Sequence, residues 1–379
     1  MRTKKFGAAF AAAAVTVGVL TGCQSGTGDA VATPQGIQKA EAARQVVAAA
    51  TAVPSADDLG PAIAVESLRG KTIYSIPIDS KAEFYQAGEQ AMKSIAAKAG
   101  INYVTFPSDG TQISYQQGIN QAINARAGAI LLNGPLPSTL GPQIDAANKA
   151  GVPIVPLHIS DKDSPATPGV RYESFAPFNE AARLMALAAT AAQEGKPVHA
   201  LVIESSETGP SQGMVDTIRN TLAEQAPEGS RTTVINIAVP QWAQQIQGQV
   251  QSAVLRNPDI NAVLPIFDSM SLYAAPGIRQ AAYNRDVPIY TFNGTPSILA
   301  MVENEQVAMN VAENPDWVAY VNLDAAFRAM LGVEPVPGAS GPVRVIDASN
   351  VAETGDPPTS GQGFGDEYAG AFLRLWGLA

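Results

Sequence analysis

The chain has 379 residues, 46% hydrophobic and 15% charged, which is material for more than one hydrophobic core. Its formal net charge of -10, from 24 basic and 34 acidic residues, disfavours a nucleic-acid partner, whose phosphates demand a basic surface. The one cysteine excludes an internal disulfide framework, and two histidines far apart leave no donor set for a metal; no cofactor is expected.

The chain opens on Arg2, Lys4 and Lys5 and continues as an apolar, alanine-rich run over 6–20. That run is shorter than the roughly 20 residues a membrane-spanning helix needs. It predicts a signal peptide over 1–22, removed on export. Leu20-Thr21-Gly22-Cys23 then resembles a bacterial lipobox. The resemblance implies a diacylated Cys23 that anchors the mature protein by lipid to the outer face of the cytoplasmic membrane. Residues 23–68 are rich in Ala, Gly, Ser, Thr and Pro and read as a tether. Within it 35–52 has helix-forming composition, predicting at most a short helix on the first lobe, because Ala and Val give it little to bury.

After Gly70, short β-branched runs alternate with helical periods: strands over 72–78, 101–106, 129–132 and 154–157, and helices over 82–99, 113–125 and 139–150. A second series follows, with strands over 199–203, 232–237, 262–266 and 289–292 and helices over 214–224, 242–255 and 272–283. Gly151-Val152-Pro153-Ile154 in the first series is echoed by Asp286-Val287-Pro288-Ile289 in the second, as in a duplicated unit. The alternation predicts an α/β fold of two doubly wound, mostly parallel sheets enclosing a crevice at the carboxyl ends of their strands.

A strand over 307–311 and a helix over 316–331 are expected to cross back to the first lobe, and 341–346 to cross again. The expected division is a lobe of 69–175 with 312–339, a lobe of 176–311 with 340–350, and an extension over 351–379 whose segment 367–376 docks as a closing helix. Gly361-Gln362-Gly363-Phe364-Gly365 has no strand leading into it and reads as a flexible connection, not a phosphate loop.

From Lys71 to about Ile346 the chain resembles the type I periplasmic binding proteins of sugar ABC transporters, the ribose- and galactose-binding group. The residues carrying this are Glu83-Phe84-Tyr85, Phe267-Asp268-Ser269-Met270, Phe292-Asn293-Gly294-Thr295-Pro296 and Asn314-Pro315-Asp316. The resemblance implies a monomeric binding protein, not an enzyme. It would close on a small polar ligand about 174–178, 311–314 and 338–341 and present it to ABC permease subunits.

Carried over by position, Phe84 and Tyr85 match the aromatic pair after the first strand, and Trp242 an aromatic before the middle helix of the second lobe. His158 stands where the family has an acid, Gln212 near an arginine, Asp268 at an Asn-Asp pair, Asn293 at an aspartate and Glu313 at a glutamine. These departures remove charge-assisted hydrogen bonds that would grip a monosaccharide. They weigh against an aldose and leave open a polyol, a modified sugar, or a small amine or aromatic compound held by Asp268 and Glu313.

Each residue also has a structural reading. Trp242 could cap its helix, Asn293 could merely form a turn, and His158 could be a core histidine, as His199 is expected to be. Of the adjacent Phe84 and Tyr85, one is expected to pack and the other to reach the ligand. A ligand-sensing lipoprotein serving a receptor or kinase fits the same residues. Gly209-Pro210-Ser211-Gln212-Gly213 satisfies the nucleophile elbow of a serine hydrolase, but both histidines precede Ser211, the reverse of the order that fold requires.

Overall fold

A computed structural model describes residues 31–56, 59–81, 83–359 and 361–379; the expected signal peptide over 1–22 and Cys23 lie outside them. Helix α1 (Pro34–Ala49) starts behind Thr33, whose hydroxyl accepts from Gly36 N at 3.0 Å, with proline at its first position. The first half then runs β1 (Thr72–Pro77), α2 (Glu83–Lys98), β2 (Asn102–Thr105), α3 (Gln112–Asn124), β3 (Ala129–Asn133), α4 (Gly141–Lys149) and β4 (Ile154–Leu157). Its strands form one parallel sheet in the order β2-β1-β3-β4.

The second half comprises α5 (Phe178–Ala192), β5 (His199–Glu204), α6 (Ser211–Gln225), β6 (Arg231–Asn236), α7 (Trp242–Arg256), β7 (Ala262–Pro265), α8 (Ser271–Ala281), β8 (Tyr290–Asn293), α9 (Pro296–Glu303) and β9 (Met309–Glu313). Strands β6-β5-β7 are parallel, and a bridge from Val263 to Ile289 joins them to β8 and β9. Strands β3, β4, β7 and β8 are buried at every position, as strands covered by helices on both faces must be. This is the two-sheet α/β architecture the alternation predicts.

The chain next returns to the first half as α10 (Pro315–Leu331), which packs on α2, and comes back as β10 (Val343–Asp347), antiparallel to β9. Asn314 caps α10 by accepting from Asp316 N and Trp317 N at 2.9 and 3.2 Å, and Gly332 ends it at φ 68°. The segments between the halves lie side by side: Ser174 bridges Leu157, and Phe175 bridges Ser340.

Three features depart from expectation. Helix α1 lies on α5 of the second half, not on the first lobe. A Cβ on Gly36 would stand 2.3 Å from Gly195 O, so the two backbones touch, and Lys39 Nζ donates to the carbonyls of Glu224 and Ala226 at 3.0 and 2.8 Å. Helices α5 and α9 were not anticipated, and α5 is a central wall of the core.

The glycine-rich connection is packed: Phe364 is buried, and a Cβ on Gly361 would collide with the Asp316 carboxylate. It leads into α11 (Glu367–Leu375), which docks on α10 through stacked Trp317 and Tyr368 (4.5 Å) and through Trp376 Nε1, which donates to Asp324 Oδ1 at 2.9 Å. No described helix is long and apolar enough to cross a membrane.

Candidate ligand-binding cleft

Between the two halves lies a cavity of about 180 Å³. Its lining follows the carboxyl ends of the strands: Ile78 and Asp79 after β1, Gly134 and Leu136 after β3, His158 and Ile159 after β4, Glu207 to Pro210 after β5, Phe267 and Ser269 after β7, and Asn293 ending β8. The first residues of the helices complete it: Glu83, Phe84 and Tyr85 of α2, Phe178 of α5, and Trp242 of α7. The halves touch around it. Ser297 Oγ of α9 donates to Glu83 Oε2 at 3.1 Å, and a Cβ on Gly209 would lie 2.7 Å from Ile159 O.

Phe84 and Tyr85 both line the cavity, against the expectation that one would pack away. They sit in the first turn of α2, beyond the part of the helix that Met92, Ile95 and Ala96 bury, so neither is forced into the core. Tyr85 keeps its proton: burial and the neighbouring Tyr115 and Glu313 raise its phenol above the ordinary range.

Trp242 packs obliquely against Phe267, centroids 6.2 Å apart. Its indole N–H is committed to Ser205 Oγ at 2.8 Å and Ile237 O at 3.2 Å, which fixes the ring and leaves only its faces to offer a ligand.

Two departures from the family pattern turn out to be one feature. His158 Nε2 stands 2.6 Å from Glu313 Oε2, with both side chains buried, although 155 residues separate them. The carboxylate can only accept, so Nε2 carries the hydrogen. The imidazole is wedged between Phe84 and Phe178, 5.0 Å from each ring, on a backbone with φ 56°. It thus serves both as a buried, partnered histidine and as part of the cavity wall.

Asp268 does not line the cavity. It is 1% exposed, and its carboxylate accepts from Thr295 N and Thr295 Oγ1, both at 2.7 Å, and from Asn310 Nδ2 at 3.2 Å. Asp268 therefore clamps the turn that aims Asn293, so Asn293 is both turn former and cavity residue. Asn293 has φ 146°, a costly value for a side-chain-bearing residue, and a Cβ on Gly294 would meet the Ala312 methyl at 2.7 Å.

Burial pushes Asp268 up from 3.8 to about 6, against the pull of those hydrogen bonds. The folded chain thus holds this proton to higher pH than the unfolded one. Its contribution to stability is full below about pH 4, declines by roughly 3 kcal/mol as pH rises to about 6, and is level above that. Urea midpoints over this range are expected to show that decline in the unaltered chain relative to Asp268→Asn; parallel curves would contradict the assignment.

Gln212 also stands apart. It is exposed on α6 and donates to Asp216 Oδ2 at 2.7 Å, because the loop before α6 faces the cavity with Glu207, Thr208, Gly209 and Pro210 instead. Ser211 is fully buried and donates to Glu204 Oε2 at 2.8 Å, with no histidine beside it. His199 lies outside the cavity, held by Asp259 at 2.9 Å and Thr233 at 2.8 Å and pushed down to about 4 by burial and Arg231.

The lining also holds residues that the sequence reading did not name as ligand-binding: Asp79, Glu83, Phe178, Glu207, Thr208, Phe267 and Ser269. Three of these are carboxylates, and no Lys or Arg lines the cavity among the described residues. Their shared signal, position just past a strand end, is present in the sequence for all but Glu83 and Phe178, which open helices.

Beneath α2, Glu89 supports the wall. Its carboxylate accepts from Ser75 at 2.6 Å, Asn133 at 2.9 Å, Tyr103 at 3.0 Å and Thr105 at 2.8 Å, tying the helix to β1, β2 and β3 without a cation.

Comparison with known proteins matches this geometry. Ribose import binding protein of Salmonella typhimurium is 24% identical over 288 residues, spanning 73% of this chain and 91% of that protein. Its counterpart in Bacillus subtilis is 21% identical over 270 residues, 69% and 82% of the two chains. Among solved structures, a carbohydrate transporter protein from Acidothermus cellulolyticus in complex with myo-inositol superposes with a TM-score of 0.61 at 20% identity, over 75% of this chain and 96% of that one. A periplasmic solute-binding protein from Actinobacillus succinogenes with bound D-allose gives 0.65 at 15% identity, over 74% and 99%. Residues 73–334 match the periplasmic binding protein domain, and with mostly parallel sheets whose strand ends line a common cavity, the chain belongs to that family of binding proteins.

Proposed function

We propose that this chain is the exported solute-binding component of a sugar ABC importer, held to the membrane by lipid on Cys23. In this reading the two sheets are the cores of two lobes that close on a neutral sugar or polyol and present it to the permease. The observation that carries the reading is the interlobe cavity. Phe84 and Trp242 are contributed from opposite halves, and groups able to bind hydroxyls, such as Asp79, Glu207, Thr208 and Asn293, line the same cavity. Relatives named as ribose importers, and neighbours holding inositol and allose, support the same class. Three carboxylates with no basic partner in the lining argue against sugar acids and sugar phosphates.

A thermal-shift screen over aldoses, polyols and the matching sugar acids tests this, since a ligand at 100 times its Kd stabilises the native state by about 2.7 kcal/mol. Stabilisation by a neutral member and none by its acid is expected. For such a ligand Trp242→Ala is expected to weaken binding about 10- to 100-fold by calorimetry, from the lost stacking and apolar contact. Unchanged affinity would remove Trp242 from the site. Incorporation of labelled palmitate, abolished by Cys23→Ser, tests the anchor.

A further inference from the structure

The two ends of the described chain lie outside the matched span of 73–334, and neither serves the cavity. Both run from the second half to the first. The N-terminal run is fixed to the second half where the carbonyls of Ala50 and Thr51 accept from Val345 N at 2.9 Å and Arg344 Nε at 2.7 Å. It is fixed to the first half where Pro61 O accepts from Arg328 Nη2 of α10 at 2.8 Å. The C-terminal run leaves the second half where Gly363 O accepts from Arg344, and reaches the first half as α11 on α10.

The two runs also hold one another. Ile63 N and Val65 N donate to the carbonyls of Leu375 and Trp376 at 2.9 and 3.3 Å. Arg344 is their common anchor: 3% exposed, it bonds Thr51 O and Gly363 O and pairs with Glu353 at 2.8 Å.

We infer that the two chain ends form a clasp across the hinge that restricts how far the halves open. A hinge of three segments opens by changing a few backbone dihedrals. Here two further crossings, bonded on both sides, must deform or detach as well, so wide opening requires a local unfolding of the clasp. The clasp thereby raises the share of time spent closed and slows exchange of whatever the cavity holds. The inference rests on the proposed hinge motion and goes beyond it.

The test uses the full-length chain with Cys23→Ser and spin labels on Gln117→Cys of α3 and Gln244→Cys of α7, both exposed. Distances between the labels are measured for the unaltered background, for Arg344→Gln, for a deletion of 367–379, and for Gly209→Leu, whose side chain would prop the cleft open against Ile159 O.

The expected result is a longer-distance population in Arg344→Gln and in the deletion that the background lacks. If only Gly209→Leu lengthens the distance, the clasp is overturned and the hinge stands; if no variant does, the hinge motion falls with it. Hydrogen exchange on the unaltered chain keeps the test open should a variant not fold. The amides of Ile63, Val65 and Val345 are expected to be as protected as those of β9, and exchange at the rate of exposed loops would overturn the clasp.

Discussion

His158→Leu is expected to lower the free energy of unfolding by about 3–5 kcal/mol, because it leaves Glu313 buried without a donor. Glu313 is 2% exposed, and its Oε1 already has no hydrogen-bond partner among the described residues, so the imidazole is the one donor its carboxylate has there. His158→Leu with Glu313→Leu removes the stranded charge together with its partner and is expected to be milder than the first change alone. Urea unfolding of the four chains closes a double-mutant cycle, in which a coupling of about 2 kcal/mol or more is expected for groups in direct contact. Additive losses would show that the 2.6 Å contact carries no energy of its own.

Glu89→Leu is the second large change, also expected to cost about 3–5 kcal/mol. It strands hydroxyl and amide donors of Ser75, Tyr103, Thr105 and Asn133, of which only Tyr103 has a second, weak acceptor, Met92 Sδ at 3.5 Å. Glu89→Gln is expected to cost less, since an amide oxygen still accepts on one side. An independent readout is Tyr103, whose phenol is raised first by burial and then by the charge of Glu89. In Glu89→Gln its ultraviolet titration is expected to move down. Because α2 also carries Phe84 and Tyr85, any ligand found by the screen is expected to bind more weakly to this variant, whereas an equally destabilising change in the second half would leave its affinity intact.

The strands were legible because each is a short β-branched run between turn residues, and the first and second series agree with the observed β1 to β8 within a residue or two at their ends. Helix α5 was not anticipated. Ten of its fifteen residues are buried and they keep a helical period, but the helix opens inside 174–178, which the sequence reading took for a crossing between the lobes. Helix α1 had a readable composition but a wrong address, since its docking depends on two glycines, Gly36 and Gly195, meeting backbone to backbone.

The cavity was legible as far as residues at strand ends could be aligned with a known pattern, which placed Phe84, Tyr85, His158, Trp242 and Asn293 in its wall. Side-chain direction was not legible: Asp268 follows the same strand end as Phe267 and Ser269, yet turns inward to hold Thr295, and Gln212 turns out to solvent. The contact between His158 and Glu313 joins positions 155 residues apart, and each had to be read as a separate anomaly.

The three tryptophans fall into two separate places. Trp242 edges the cavity and is partly open, while Trp317 and Trp376 are buried where α10 meets α11, at 4% and 0% exposure. The chain therefore carries two optical reporters without labelling. Acrylamide is expected to quench Trp242 and a bound solute to shield it, whereas the buried pair is expected to emit at shorter wavelength and to resist quenching until the C-terminal helix lifts away. With Trp242→Phe, fluorescence reads only the seam between α10 and α11; with Trp317→Phe and Trp376→Phe, it reads only the cavity.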